Sequence, residues 1–143
     1  TDVQIDINVS SYIPDEFIDN SSQKIEIYQN IALCKTEEDI QNVVDEIIDR
    51  YGHMPEEIEN LLEITRIKNL CREVGIIKIS QKRDSIIFYC ETTKFADGVN
   101  IEKILKQYKN RVQFSPGKNG YITLKNIDNN VISGIKEFLK ICK

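Results

Sequence analysis

The sequence predicts an α+β fold: an N-terminal strand and three-helix segment, then two hairpin-plus-helix units forming a mixed, mostly antiparallel sheet with helices packed on it. Three observations carry this. Val3, Ile5, Ile7 and Val9 alternate with polar residues, the apolar residues between Ile25 and Val74 recur at helical spacing, and from Ile76 short alternating runs return between turn residues.

The opening alternation gives a strand with one buried face, stopped by Pro14. Asn20 to Gln23 can cap a first helix that carries Ile25, Tyr28, Ile31 and Ala32 on one side and reaches about Leu33. Thr36 caps a second helix, with Asp39 as a capping-box acid three residues on. Its residues Ile40, Val43, Val44, Ile47, Ile48 and Tyr51 follow the i, i+3, i+4, i+7 rule, and Gly52 fits a left-handed C-cap. Pro55 opens a third helix, with Glu56 and Glu57 in its first turn, and that helix runs to Gly75. Its apolar stripe is wide and drifts, which suggests packing on more than one neighbour. Ile76 to Ser80 and Ser85 to Cys90 form a hairpin across Gln81 to Asp84. A helix follows from about Val99 to Lys109. Arg111 to Ser115 and Tyr121 to Lys125 make a second hairpin, and a last helix starts near Asp128. The expected organisation is one domain over 1–143, with a strand-plus-helical part at 1–75 and a ββαββα part at 76–143.

Composition narrows the function. The 143 residues are 41% hydrophobic and 29% charged, enough for a packed core, and no apolar run is long enough to span a bilayer. The N-terminus lacks a basic stretch followed by an apolar one, and the chain opens without Met, which suggests a piece of a longer cytoplasmic protein. Cys34, Cys71, Cys90 and Cys142 lie far apart without metal-ligand spacing, so they read as core thiols. His53 is the only histidine, which leaves little for a Ser-His-Asp triad or a histidine metal site. Neither phosphate-cradling glycine motif is present, so no cofactor is expected in this segment.

The net charge of −4 is unevenly spread. Residues 1–35 hold six acids and two bases, 36–63 ten acids and one base, and 64–143 seven acids and sixteen bases. The acidic middle favours basic protein surfaces over nucleic acid. Within it, Glu46 and Asp49 stand one turn apart on the outer face of the second helix, spaced to grip arginines, with Asp45 beside them and Arg50 near the helix C-terminus. A solvated helix exterior is the plain alternative.

The stretch Lys24-Ile-Glu-Ile-Tyr28, then Asp45-Glu-Ile-Ile-Asp-Arg-Tyr-Gly-His-Met-Pro55, Glu59-Asn-Leu-Leu62 and Leu70-Cys-Arg-Glu-Val-Gly-Ile-Ile-Lys-Ile79 closely resembles the C-terminal domain of the transcription-repair coupling factor (Mfd) family. Asp2-Val-Gln-Ile-Asp6 and Tyr12-Ile-Pro-Asp15 are similar to that family's entry into the domain. The likeness is specific over roughly the first eighty residues. Cys71 stands where Ala is expected and Tyr51 where Phe is commoner.

The resemblance implies a regulatory, non-catalytic domain of an ATP-driven DNA translocase that displaces stalled RNA polymerase and recruits excision repair through UvrA. ATP and Mg would belong to motor domains of the parent, which acts on double-stranded DNA. The domain would pack on the parent's UvrB-homology module, mask its UvrA-binding surface and restrain the motor. Residue by residue, the family's Glu-x-x-Asp-Arg-Phe-Gly motif carries over onto Glu46, Asp49, Arg50, Tyr51 and Gly52, with Glu46 and Asp49 facing basic residues of the module.

Two other functions fit parts of the sequence. A nucleic-acid-binding module would use the basic C-terminal half, where Lys78, Lys82 and Arg83 lie near Phe88 and Tyr89, although one of each adjacent aromatic pair on a strand must face the core. A hydrolase with paired carboxylates would need a concave pocket around Glu46 and Asp49.

Overall fold

The computed structural model describes residues 2–91 and 99–143. Lys94, one of the basic residues counted above, lies outside the described residues. Two compact units form, one of residues 9–66 and the other of 1–8 with 67–143. The dividing line therefore falls at residue 66, inside the third helix, instead of at 75, and the first strand belongs with the C-terminal sheet.

In the unit of 9–66, α1 (Ser21–Ala32) is capped by Asn20, whose side chain accepts from the Gln23 amide. α2 (Glu37–Tyr51) begins with the expected capping box: Thr36 Oγ1 accepts from the Asp39 amide at 3.0 Å, and Asp39 Oδ2 accepts from the Thr36 amide at 3.2 Å. α3 (Glu56–Val74) starts immediately after Pro55. Ile13, Ile18, Ile27, Ile31, Ile40 and Ile47 meet Ile58 and Leu62 of α3 in one core. The loop before α1 is folded over it, because Phe17 and Ile18 amides both donate to the Pro14 carbonyl and the Ile13 amide donates to Tyr28 Oη at 2.8 Å.

The buried face of α1 is not the expected one. Ile27 and Ile31 are buried, whereas Ile25 is 57% exposed and Tyr28 turns its hydroxyl to the loop. Ile25 and Ile27 lie on opposite sides of a helix, and helical spacing picked the side of Ile25, whereas Ile27 is the one that meets the core.

In the second unit the sheet order is β1-β2-β3-β5-β4, built from β1 (Gln4–Asp6), β2 (Ile76–Lys82), β3 (Ser85–Cys90), β4 (Val112–Ser115) and β5 (Tyr121–Leu124). β1 pairs with β2 in parallel and the other pairings are antiparallel, which is the mixed sheet the sequence predicts. Lys82 pairs with Ser85, so the first hairpin turns on Arg83 and Asp84 alone, two residues tighter than expected. Arg83 takes a positive φ of 58°, a conformation that Asn or Gly usually supplies, which is why the turn was hard to place from sequence.

Each hairpin is followed by a helix, α4 (Ile101–Tyr108) and α5 (Val131–Ile141), with a single 3-10 turn at Lys109–Arg111 leading into β4. Ile79, Ile86, Phe88, Ile122 and Leu124 point from the sheet into a core shared with Ile67 and Cys71 of α3, Ile104 of α4 and Phe138 of α5. Phe88 and Phe138 stack with ring centroids 4.1 Å apart, and Tyr108 meets Phe138 at 5.5 Å. The four cysteines are buried thiols, as core residues should be, and burial pushes Cys71 and Cys142 up to about 12 and Cys90 up to about 11.

Phe138 is fully buried and contacts both the sheet and α4 through its ring. Phe138→Ala is expected to lower unfolding free energy by about 3–5 kcal/mol. Urea unfolding followed by circular dichroism measures this, and a loss below about 1 kcal/mol would show that the ring stack does not hold the sheet to its helices.

Candidate functional site

The candidate site is the outer side of α2. Its position is fixed by three anchors: the capping box at the start, the buried Ile40, Val43 and Ile47 along the inner face, and Gly52 at the end. Gly52 has φ 92° and ψ −153°, a region open essentially to glycine alone, and its amide closes the helix on the Ile48 carbonyl at 2.9 Å.

On the outer side Asp45 and Asp49 are exposed and Glu46 is half-buried. Asp45 accepts from Gln41 Nε2 at 2.9 Å. Arg50 Nη1 lies 3.2 Å from Glu46 Oε1 and 3.4 Å from Glu26 Oε1 of α1, and its guanidinium sits 5.1 Å from the Tyr51 ring centroid. Asp49 makes no ion pair among the described residues. The four predicted site residues thus share one surface but differ in state: two carboxylates face solvent, and Glu46 is held by Arg50 of its own helix.

Ile48 was expected on the apolar face and is instead 48% exposed, one turn after Asp45. It lies at the border of the buried stripe, where the helix turns past the core, and period counting alone cannot place a border residue. Sequence reasoning missed its exposure. An isoleucine among carboxylates on an exposed helix face is the signal that could have found it.

A shallow groove of about 300 Å³ runs between α1 and α2, lined by Asn30, Leu33, Cys34, Asp39, Asn42, Val43 and Glu46. Glu46 lines it and Asp49 does not, so the two carboxylates do not converge there as paired acid/base work requires. Asp39 is held below the usual carboxylate range by the backbone amides of Lys35 and Thr36 that donate to it. Among the described residues no group of three or more His, Cys, Asp and Glu is placed to hold a metal ion, and no helix is long and apolar enough to cross a membrane.

The outward motif and the fold now stand beside known proteins. The sequence profile of the TRCF domain matches residues 7–101. This chain belongs to the TRCF domain family. The transcription-repair-coupling factor of Rickettsia prowazekii is 32% identical over 138 residues, covering 94% of this chain and 12% of that protein. That of Staphylococcus haemolyticus is 36% identical over 106 residues, covering 74% of this chain and 9% of that protein. The chain therefore spans about an eighth or less of the length of these relatives. A crystal structure of the C-terminal domain of transcription-repair coupling factor superposes with a TM-score of 0.81, covering 99% of this chain and 94% of the other at 20% identity, which speaks for the fold. The family resemblance read from the first eighty residues holds, and the TRCF fold extends across the C-terminal half as well.

Two outcomes are expected for this TRCF domain. Tyr51 Oη is buried and has no hydrogen-bond partner among the described residues. Tyr51→Phe is therefore expected to leave stability unchanged or raise it by up to about 1 kcal/mol, and a loss of that size in denaturant unfolding would show that the hydroxyl is satisfied.

Asp39 has a folded value depressed below its ordinary 3.8, so its contribution is full above that ordinary value and is lost as pH falls through the depressed one. Asp39→Asn should remove that part of the acid sensitivity. Melting curves of both proteins between pH 6 and pH 2, estimated as the window around the ordinary carboxylate range, should diverge least at the acid end. Parallel curves would show that the capping-box carboxylate is not linked to folding.

Proposed function

We propose that this chain is the autoinhibitory domain of a transcription-repair coupling factor, packing on the UvrB-homology module of its parent to mask UvrA binding and to restrain an ATP-dependent DNA translocase in transcription-coupled repair. The observation that supports this most is the outer face of α2, where Asp45 and Asp49 face solvent beside the Arg50-paired Glu46, on a helix whose ends and inner face are fixed. The family membership supplies the frame.

Glu46 is already paired with Arg50, and the energetics of exchange are mild. An exposed ion pair is worth only about 0.2–1 kcal/mol, so a basic partner can replace Arg50 at little cost. For the same reason two such pairs cannot hold a latch closed alone. Moving a two-state equilibrium from 1:99 to 99:1 takes about 5.5 kcal/mol of differential binding. Tethering closes the gap. With a local concentration near ~1 mM, a contact whose Kd is near ~10 μM is closed about a hundred to one. Ile48 adds to the reading, since an exposed apolar residue one turn from Asp45 on the same helix gives the contact a patch that water can be expelled from.

Glu46→Ala with Asp49→Ala in the full-length parent is expected to increase UvrA binding and basal ATPase together. Unchanged values for both would refute the assigned role. Titration of the 143-residue chain against the UvrB-homology module should give weak binding that weakens further with salt, and no binding at low ionic strength would count against the contact.

A further inference from the structure

The unit of 1–8 and 67–143 carries fifteen Lys and Arg against nine Asp and Glu, a net charge of +6, whereas 9–66 carries four against fourteen, or −10. The acidic α2 accounts for the proposed contact and leaves the basic unit unexplained.

The sheet of that unit has two unlike faces. One points Ile79, Ile86, Phe88, Ile122 and Leu124 into the core. The strand register places Lys78, Tyr89 and Tyr121 in one row across the other face, with Ser80, Ile87 and Thr123 in the next and Lys82 beside Ser85 beyond it. Tyr121 is 37% exposed, and Lys78, Ser80, Ile87, Tyr89 and Thr123 are half-exposed. Within these three central strands the face contains two lysines and no carboxylate; the acids next to it are Asp6, opposite Ser80 on the edge strand β1, and Glu91, two residues beyond Tyr89, whose amide donates to the Gly75 carbonyl.

The aromatic arrangement is specific. The Tyr89 and Tyr121 ring centroids lie 5.8 Å apart, and Lys78 Nζ lies 5.5 Å from the Tyr89 ring centroid. The row beside the aromatic one has Ile87 between the short side chains of Ser80 and Thr123, and at the far end Lys82 pairs with Ser85 next to Arg83 at the hairpin tip. From Tyr89 to Ser85 the strand spans about 13 Å at ~3.3 Å per residue.

We propose that this open sheet face binds single-stranded nucleic acid, Tyr89 and Tyr121 stacking against bases and Lys78, Lys82 and Arg83 contacting the phosphate backbone. The chemistry suits that occupant. Rings presented on a sheet surface stack successive bases without sequence preference, and cationic side chains beside them follow the phosphates. A rigid duplex hides its base faces and would use the lysines alone. An acidic peptide would likewise be held by the cations with little call on two neighbouring rings. Phe88, which the sequence grouped with Tyr89, takes no part, because strand alternation turns it into the core against Phe138.

The test uses the 143-residue chain and a fluorescein-labelled oligo(dT) of twelve nucleotides, a length estimated from the usual site size of sheet-type binders, read by anisotropy at low salt. The expected result is binding that Tyr89→Ala or Tyr121→Ala each weakens about tenfold. Tyr89→Phe and Tyr121→Phe, which keep the ring and guard against misfolding, should bind as the parent chain does. The chain has no tryptophan, so quenching of its tyrosine fluorescence on saturation gives a second readout of stacking. The proposal is overturned by absence of binding at low salt, by ring deletions that leave affinity unchanged, or by equal affinity for a duplex. It is also overturned if polyglutamate competes as well as unlabelled oligo(dT), since the face would then be a general anion surface. Because α2 is untouched in these variants, the outcome is independent of the UvrB-homology contact.

Discussion

Much of this molecule depends on α3. Its first half contributes Ile58 and Leu62 to one core, and its last turns contribute Ile67, Cys71 and Val74 to the other. A nineteen-residue helix serving two cores needs apolar residues on more than one side, which is the cause of its drifting stripe. It also explains why the helical segment and the sheet cannot be divided at the end of the helix. Arg66, at the changeover, is tied on the outside to Glu37 of α2 at 2.9 Å and to Glu63 of its own helix.

The two units then divide the chemistry by charge. The acidic one presents carboxylates from a helix that its capping box, buried isoleucines and Gly52 hold in a fixed setting. The basic one presents lysines and tyrosines from a sheet whose register is set by the alternation of core residues on the opposite face. A one-residue slip in β3 would turn Tyr89 inward and Phe88 outward, so the Phe88–Phe138 stack that stabilises the core also determines what the open face displays. Stability and surface chemistry are coupled through strand parity.

The candidate site was legible in the sequence to the level of its residues but not of their state. Glu46 and Asp49 were identifiable from spacing and family resemblance, and both lie on the outer side of α2. That Arg50 bridges Glu46 to Glu26 was not legible, because it requires α1 to lie beside α2 with Glu26 turned toward it. Ile48 failed for a related reason: a helical wheel gives the angle of a side chain, and the extent of its neighbour's coverage decides whether that angle is buried.

By itself the sequence determined the element types, their order, the cap at Thr36, the stop at Gly52 and the mixed sheet, since these follow from local propensity, periodicity and the conformational demands of single residues. Tertiary structure decided the rest. The strand order, the parallel pairing of Gln4–Asp6 with a strand some seventy positions away, the choice of Ile27 over Ile25 for the core and the meeting of Tyr89 with Tyr121 each depend on contacts between distant segments. Local preference carries no information about such contacts, because their free energy arises only when the partner's surface is in place.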